Sequence, residues 1–501
     1  MDTVIKKIDD ISAEDIDESL LEIGEVLKNG GLVAFPTETV YGLGANALNE
    51  DAARKIYEAK GRPSDNPLII HISNIKDLEV VAKDIPLSAQ KLAESFWPGP
   101  LTMVLNKTAL VPYTTSGGLD TIAVRLPGNE LARRIITAGG GFIAAPSANS
   151  SGKPSPTAAG HVINDMMGKI DMIVDGGACN IGLESTIIDL TCEIPTVLRP
   201  GFITASKLEE VIGRVEKATD RIDDDKAPKA PGMKYRHYAP NAELSIFMGR
   251  TKNVADKINI MTGECLKNSK LVGIICSKET KDLYENGIVK EIGSLSDSND
   301  IAANLYDILR DFDSKGVDYI FSESFFVGDL GDAIMNRLEK AAGGKVFICS
   351  ANIDYENIDT IIFVDNDDIS LSVMAKEIAL EKRTRQNLHV LSRGLNVLFS
   401  EPVNQKTQTV LENHNLDVEN HVARRLKQTD FDERTAIVAL SIAIKDKIMD
   451  RFENTEQLYT ISEFFDERIV LLDPFGKDIE EYEECYKILD SVLSKARQLI
   501  L

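Results

Sequence analysis

Short apolar runs recur along the chain, and between them apolar residues fall at the three- and four-residue spacing of amphipathic helices. Up to residue 212, "GLVAF", "PLIIHI", "LTMVL", "TIAVRL", "GFIAAP", "DMIVD" and "STIIDL" read as strands, alternating with helical stretches such as "DESLLEIGEVLKNGG" and "NEDAARKIYEAKG". "RVEKATDRIDDDKAPKAPGMKYRHYAPN" breaks the pattern; charged and proline-punctuated, it reads as a linker. Alternation then resumes through "ELSIFMG", "KLVGIICS", "DIAANLYDILRDFDSKG", "VDYIFSES" and "GDLGDAIMNRLEKAAGG", at the spacing of βαβ units and hence of a parallel, doubly wound sheet. A third block repeats it with "TIIFVD", "NLHVLSRG", "TAIVALS" and "RIVLLDPFG", ending in the amphipathic "IEEYEECYKILDSVLSKARQLIL". The expected fold is α/β throughout: a domain over residues 1–212, a linker over 213–241, a Rossmann-like parallel domain over 242–346 and a third parallel α/β domain over 356–501.

A length of 501 residues agrees with several cores rather than one. The formal charge of −23 argues against a protein that coats nucleic acid, because phosphate backbones are held by clustered lysine and arginine; an anion site must be a local basic pocket. The six cysteines form no CxxC pair, which disfavours a disulfide framework and a thiolate zinc site. The first residues lack an apolar signal core and no run approaches bilayer length, so a cytoplasmic protein without membrane contact is expected.

Neither a GxxxxGK[ST] loop nor a GxGxxG fingerprint occurs. The chemistry-bearing residues cluster at strand ends instead. "FPTETVYGLGANA" carries Thr37, Thr39 and Tyr41; "KGRPSDNPLIIHIS" carries Lys60, Arg62, Asn66 and His71; "TSGGLDTIAVRLP" carries Ser116, Thr121 and Arg125. "AAPSANSSGKPSPT" adds Ser147, Asn149, Lys153 and Thr157, "LESTIID" adds Ser185 and Thr186, and "VLRPG" adds Arg199. Singly, each reads as a turn, a helix cap or a surface arginine. Together they form a set of strand-end clusters rich in anion-binding and small polar residues, suited either to a small anionic substrate or, in an RNA-binding or maturation factor whose Lys and Arg line a basic cavity, to an RNA backbone. The small polar types beside Arg125 (Ser147, Asn149 and Ser185) favour the small molecule, as does the overall acidity.

In this order the segments over residues 15–205 resemble the YrdC-like family of threonylcarbamoyl-AMP synthases, whose KxR and later SxN patterns are present as Lys60, Arg62, Ser147 and Asn149. The resemblance implies a twisted mixed sheet with helices. It also implies an enzyme that joins L-threonine, bicarbonate or CO2, and ATP to give threonylcarbamoyl-AMP and pyrophosphate. That is the first step toward threonylcarbamoyladenosine in tRNA, with a downstream threonylcarbamoyl transferase complex as recipient and no DNA partner. It implies Lys60 and Arg62 as catalytic residues, and Lys60, Arg62, Asn66, Thr121, Asn149, Thr157 and Arg199 around ATP. Thr39, His71, Arg125, Ser147 and Ser185 would surround threonine, His71 also being readable as a buried structural histidine. Mg2+ would ride on the triphosphate, with no protein metal site. The chemistry suits these types: a threonine carbamate must approach an anionic α-phosphate, and cations with oriented donors relieve that repulsion.

"APGMKYRHYAPN" resembles the linker of the longer form of the family, in which Tyr235, Arg236, His237 and Tyr238 would cover the nucleotide and exclude water; Tyr235, His237 and Tyr238 join the ATP contacts on that basis. A proline-stiffened spacer is the plainer alternative. The following block resembles that form's companion domain, expected to anchor the linker and regulate access, with Asn336 and Arg337 fixing a helix against its sheet.

In the third block, "HVARRL", "AIVALS", "LDPFG" and "YEECYKIL" resemble the low-molecular-weight protein tyrosine phosphatases. Their phosphate loop carries a nucleophilic cysteine, an arginine and a serine; "IIFVDNDDISLSVMAK" places Asp365, Leu371 and Ser372 there. Without thiolate and guanidinium, Asp473 of "DPFG" has no nucleophile to serve, and an inactive domain is expected. A cation site formed by Asp365, Asp367 and Asp368 lacks EF-hand spacing, and an aspartyl nucleophile lacks a cation to hold phosphate.

Overall fold

The computed structural model describes residues 2–8, 16–218, 228–230, 237–326, 328–349, 353–418, 420–467 and 469–496. The chain packs as two units, Met1–Ile246 with Ile258–Lys345 and Phe247–Lys257 with Val346–Leu501. Among the described residues no helix is long and apolar enough to cross a membrane.

The first unit is built on a twelve-stranded mixed sheet. Its central order runs Val33–Phe35, Gly42–Asn46, Phe142–Ala144, Ile69–Ile72, Thr121–Arg125, Leu101–Lys107, Thr186–Asp189 and Thr196–Arg199. All seven strand runs expected in residues 1–212 are present. The strand Gly42–Asn46 lies outside those seven runs and carries two glycines. They are there for space: a Cβ on Gly44 would lie 2.6 Å from the Phe35 ring and 2.9 Å from Ile143, the side chains of its two neighbouring strands. Two buried clusters form the core on this sheet. One includes Tyr41, Ile56, Ile70, Met103 and Val124, the other Ile23, Phe35, Ile135 and Val174.

The same unit contains the parallel ladder in which Val272–Cys276 lies between Ile288–Glu291 and Tyr319–Glu323. The helix Ser298–Lys315 starts at Asp297, whose side chain accepts the amides of Asn299 and Asp300, and ends at Gly316 in the left-handed conformation. It buries Ile301, Ala302, Leu305, Tyr306, Leu309 and Phe312, the stripe that its apolar spacing dictates. The helix Gly331–Ala342 buries Ile334, Leu338 and Ala341, with Arg337 on the same stripe.

The second unit holds a four-stranded parallel sheet in the order His389–Gly394, Thr360–Asp365, Thr435–Ala439, Leu458–Thr460. The strand expected in "RIVLLDPFG" does not form: Ile469–Pro474 pairs with no strand among the described residues. Its alternation has another cause. Ile469 and Leu471 pack, partly buried, on the core while Val470 and Leu472 face solvent, so the segment lies along the surface and covers every second residue in part.

Candidate functional site

The site starts at a helix end. Asn49 caps the helix Glu50–Lys60 by accepting the amides of Asp51 and Ala52, and Gly61 closes it at φ 62° with its amide on Glu58 and Tyr57 carbonyls. That turn reverses the chain between Lys60 and Arg62 and sends both side chains inward. Lys60, 4% exposed, donates Nζ to the carbonyls of Ser147 and Asn149. Burial, then the neighbouring Arg62, holds its pKa well below the usual lysine value. Arg62 donates Nε to the Asn66 carbonyl at 3.2 Å and Nη2 to Asn66 Oδ1 at 2.6 Å and the Pro67 carbonyl at 3.0 Å; burial lowers its pKa to about 10.

The second group comes from paired strands. Ile69–Ile72 and Thr121–Arg125 run parallel with His71 opposite Arg125. Burial, then the Arg125 charge, lowers the His71 pKa to about 3, so the ring is neutral at physiological pH. Arg125 donates Nε to Gly99 O at 3.2 Å, Nη1 to Thr39 Oγ1 at 2.9 Å and Nη2 to Glu38 Oε1 at 2.6 Å. Thr37 Oγ1 gives its proton to Val40 O at 2.7 Å, so across the 2.9 Å contact between the two hydroxyls it is Thr39 that donates. A polarised chain therefore runs from Arg125 through Thr39 and Thr37 to the backbone.

The third group sits where Thr186–Asp189 meets Thr196–Arg199 antiparallel. Arg199 donates Nε and Nη2 to Ser185 O at 3.1 and 2.9 Å, and Nη2 to Ser185 Oγ at 3.2 Å; Thr102 Oγ1 is 2.7 Å from the same hydroxyl. Beside them Glu184 accepts from Ser155 Oγ, from Tyr306 OH at 3.0 and 2.9 Å, and from Arg337 Nε at 3.1 Å. Burial raises the Glu184 pKa, but Arg337 and then Arg199 outweigh it and leave the carboxyl below its usual range.

One cavity gathers these groups. It is lined by Thr37, Thr39, Arg62, His71, Arg125, Ser147, Glu184, Ser185, Arg199, His237 and Tyr238, together with apolar and backbone surface from Val40, Gly42, Ile69, Ala145 and Pro146. Of the expected residues, Thr39, Arg62, His71, Arg125, Ser147, Ser185, Arg199, His237 and Tyr238 line it directly. Lys60, Asn66 and Asn149 stand one hydrogen bond behind it: Ser147 Oγ donates to Asn149 Oδ1 at 2.5 Å, and Asn149 Nδ2 donates to Ser150 O and Lys153 O. Thr157 contacts His161, its amide 3.2 Å from His161 Nδ1. Thr121 is not brought to the cavity: it begins the strand that Arg125 ends, roughly 13 Å away at the usual rise per residue. Tyr235 and Arg236 lie outside the described residues.

The chain is 51% identical to the threonylcarbamoyl-AMP synthase of Pyrococcus abyssi over 322 residues, 64% of this chain and 93% of the relative. It is 48% identical to that of Bacillus subtilis over 332 residues, 66% of this chain and 94% of the relative. The chain belongs to the threonylcarbamoyl-AMP synthase family. It is accordingly an enzyme of the transferase class. Residues 25–201 match a family model described as telomere recombination, and residues 203–343 one described as threonylcarbamoyl-AMP synthase, C-terminal domain. A crystal structure of P. abyssi Sua5 complexed with L-threonine is 46% identical, with a TM-score of 0.65, covering 69% of this chain and 99% of that one. Residues 360–500, beyond the synthase relatives, match a model described as low molecular weight phosphotyrosine protein phosphatase.

Sequence reasoning missed Glu184 in the synthase-family cavity, and Glu38, Arg337 and Tyr306 behind it. Glu184 stood inside the quoted "LESTIID", adjacent to Ser185. Arg337 was assigned to fixing a helix on its own sheet; it is instead fully buried against Glu184 and Pro200 O of the N-terminal part. An arginine on the apolar stripe of an amphipathic helix was the available signal.

The phosphatase-like segment has a contrasting arrangement. Asp365, at the end of its strand and 6% exposed, accepts the amides of Asp368 at 2.7 Å and Ser372 at 2.9 Å. Burial, then Asp367, raises its pKa to about 7. Asp368, at φ 59°, accepts from Ser372 Oγ at 3.2 Å and the Arg424 amide at 2.7 Å.

Proposed function

We propose that the cavity joins L-threonine, bicarbonate or CO2, and ATP to give threonylcarbamoyl-AMP and pyrophosphate, for threonylcarbamoyladenosine formation in tRNA by a downstream transferase complex. The observation carrying this reading is the convergence of Arg62, Arg125 and Arg199, all buried, on one cavity that also presents neutral His71 and the hydroxyls of Thr39, Ser147 and Ser185. The P. abyssi protein crystallised with L-threonine supports threonine as one substrate.

The threonine amine and bicarbonate first condense to a carbamate with loss of water. A carbamate oxygen then forms a bond to the α-phosphorus as the bond to the pyrophosphate oxygen breaks. The chain's task is to hold anions together and offset the charge that builds on the phosphoryl oxygens. Arg125, with three of its five N–H groups fixed by protein, presents a set fork to the threonine carboxylate. Thr39, Ser147 and Ser185 supply hydroxyls around threonine. Neutral His71 can meet it without adding charge. Arg62 and Arg199 take the phosphates, and Lys60, gripping Ser147 and Asn149 carbonyls, sets the turn that presents Ser147. Asn66 orients Arg62 from behind, Asn149 orients Ser147, and His237 and Tyr238 close the linker side against water.

Mg2+ enters with the nucleotide as part of the substrate. Glu184 at the cavity and Glu38 behind Arg125 are each paired with an arginine, so the triphosphate is the ion's natural host. An RNA groove is disfavoured by burial, since Arg62, Arg125 and Arg199 are at most 9% exposed and a nucleic-acid backbone needs cations on the surface.

The third segment is assigned no catalysis, because the Asp365 carboxyl occupies loop amides that an anion would require and Leu371 brings no charge. Division into a synthase domain, linker, companion domain and inactive phosphatase-like domain follows from these assignments. Purified chain given ATP, L-threonine and bicarbonate should form pyrophosphate and threonylcarbamoyl-AMP, read by mass; nucleotide turnover indifferent to threonine or bicarbonate would overturn the reading.

A further inference from the structure

Glu184 poses an electrostatic problem. A buried carboxylate faces the cavity beside the guanidinium that is to receive phosphate, and Arg199 is the second-strongest positive influence on it after Arg337. Left alone, such a carboxylate would draw Arg199 into an ion pair and cancel the charge the nucleotide needs. The companion region intervenes. Arg337, fully buried on the helix Gly331–Ala342, donates Nε to Glu184 Oε2 at 3.1 Å and Nη1 to Pro200 O, the residue after Arg199. Tyr306, from the helix Ser298–Lys315, gives its hydroxyl to the same carboxylate, and its ring lies 5.4 Å from that of Tyr238. Arg199 is thereby left to its holders, the Ser185 carbonyl and hydroxyl and the Tyr238 hydroxyl.

We propose that Arg337 is a positioning residue that neutralises Glu184 and keeps the Arg199 guanidinium available to the phosphates of ATP. The companion region thus completes the synthase cavity from behind, by charge, without touching substrate. This rests on the reading of Arg199 as a phosphate-holding group.

The test is a cycle of variants in the intact chain, with KM for ATP and for threonine measured separately and folding followed by thermal melting. Arg337→Met, which keeps the stem and deletes the charge, should raise the ATP KM about tenfold and the threonine KM by much less. Adding Glu184→Gln removes the carboxylate that captures Arg199, so the double variant should recover ATP affinity to within about threefold of the unaltered chain. Arg337→Lys keeps the charge and should stay closer to the unaltered chain than Arg337→Met; it carries the test if Arg337→Met does not fold. A double variant worse than Arg337→Met, or an unchanged ATP KM in Arg337→Met, overturns the inference and leaves Arg337 a packing residue. Arg199→Ala separates the two claims: if it leaves the ATP KM unchanged, the reading of Arg199 fails; if it raises that KM while the rescue is absent, only the inference fails.

Discussion

The synthase cavity and the phosphatase-like loop solve the same problem with opposite signs. In and behind the first, three buried cations are held by backbone carbonyls: Lys60 by Ser147 and Asn149, Arg62 by Asn66 and Pro67, Arg199 by Ser185. In the second, a buried carboxyl is held by backbone amides, Asp365 by Asp368 and Ser372. Carbonyls that fix a cation leave its field directed at a cavity, which then attracts an anion. Amides that donate to a side-chain carboxyl already have their acceptor. The difference lies in which partner the backbone supplies, and on the proposed reading it separates a phosphate-holding site from a loop without one.

Breaking the first arrangement should have the largest effect. Arg62→Ala removes a buried charge from the cavity and should lower synthase turnover about a hundredfold or more, measured as threonine-dependent pyrophosphate release. Lys60→Met should also lose activity, with misplacement of the Ser147 turn showing as a raised KM for threonine. Breaking the second should leave chemistry alone and affect stability. Asp365→Ala strands two amides and should destabilise the second unit by about 1–3 kcal/mol in urea unfolding, with synthase turnover unchanged.

The two regions should also respond to pH in opposite directions. His71 has a folded pKa of about 3 against 6.5 unfolded. Between those values the unfolded chain binds a proton that the folded chain refuses, so His71 costs the first unit stability as pH falls from 6.5 toward 3. Asp365 has a folded pKa of about 7 against 3.8 unfolded. Here the folded chain keeps the proton, so stability present below 3.8 is lost as pH rises through 7. Trp97, the single tryptophan, reports unfolding of the first unit by fluorescence, and far-UV dichroism follows both. His71→Gln and Asp365→Asn should each flatten the corresponding slope, and a slope that survives its substitution assigns it elsewhere. The smallest expected effect is Asp473→Ala, for which aryl phosphate turnover should be undetectable before and after; turnover abolished by that change contradicts the closed loop.

The legible part of the fold was the part governed by local pattern. Seven strands in residues 1–212 and the helices between them announced themselves by apolar spacing, and the helix-end "KGR" and strand-end "AVR" placed Arg62 and Arg125 where a cavity could gather them. Gly42–Asn46 stayed hidden because its glycines answer to Phe35 and Ile143 on adjacent strands, not to the local chain. "RIVLL" misled because a segment lying on a core alternates like a strand. Glu184 and Arg337 are 153 residues apart, and a pair formed only by tertiary packing leaves no spacing to read. Its trace was a charged residue on an apolar helix face.

The most direct measurement is pyrophosphate release from ATP, dependent on threonine and bicarbonate, compared in the intact chain, Arg62→Ala and Asp473→Ala. The account predicts release in the intact chain, its near-complete loss in Arg62→Ala and full retention in Asp473→Ala. Release that persists in Arg62→Ala, or that falls in Asp473→Ala, would contradict the assignment of the chemistry to the cavity in the first unit.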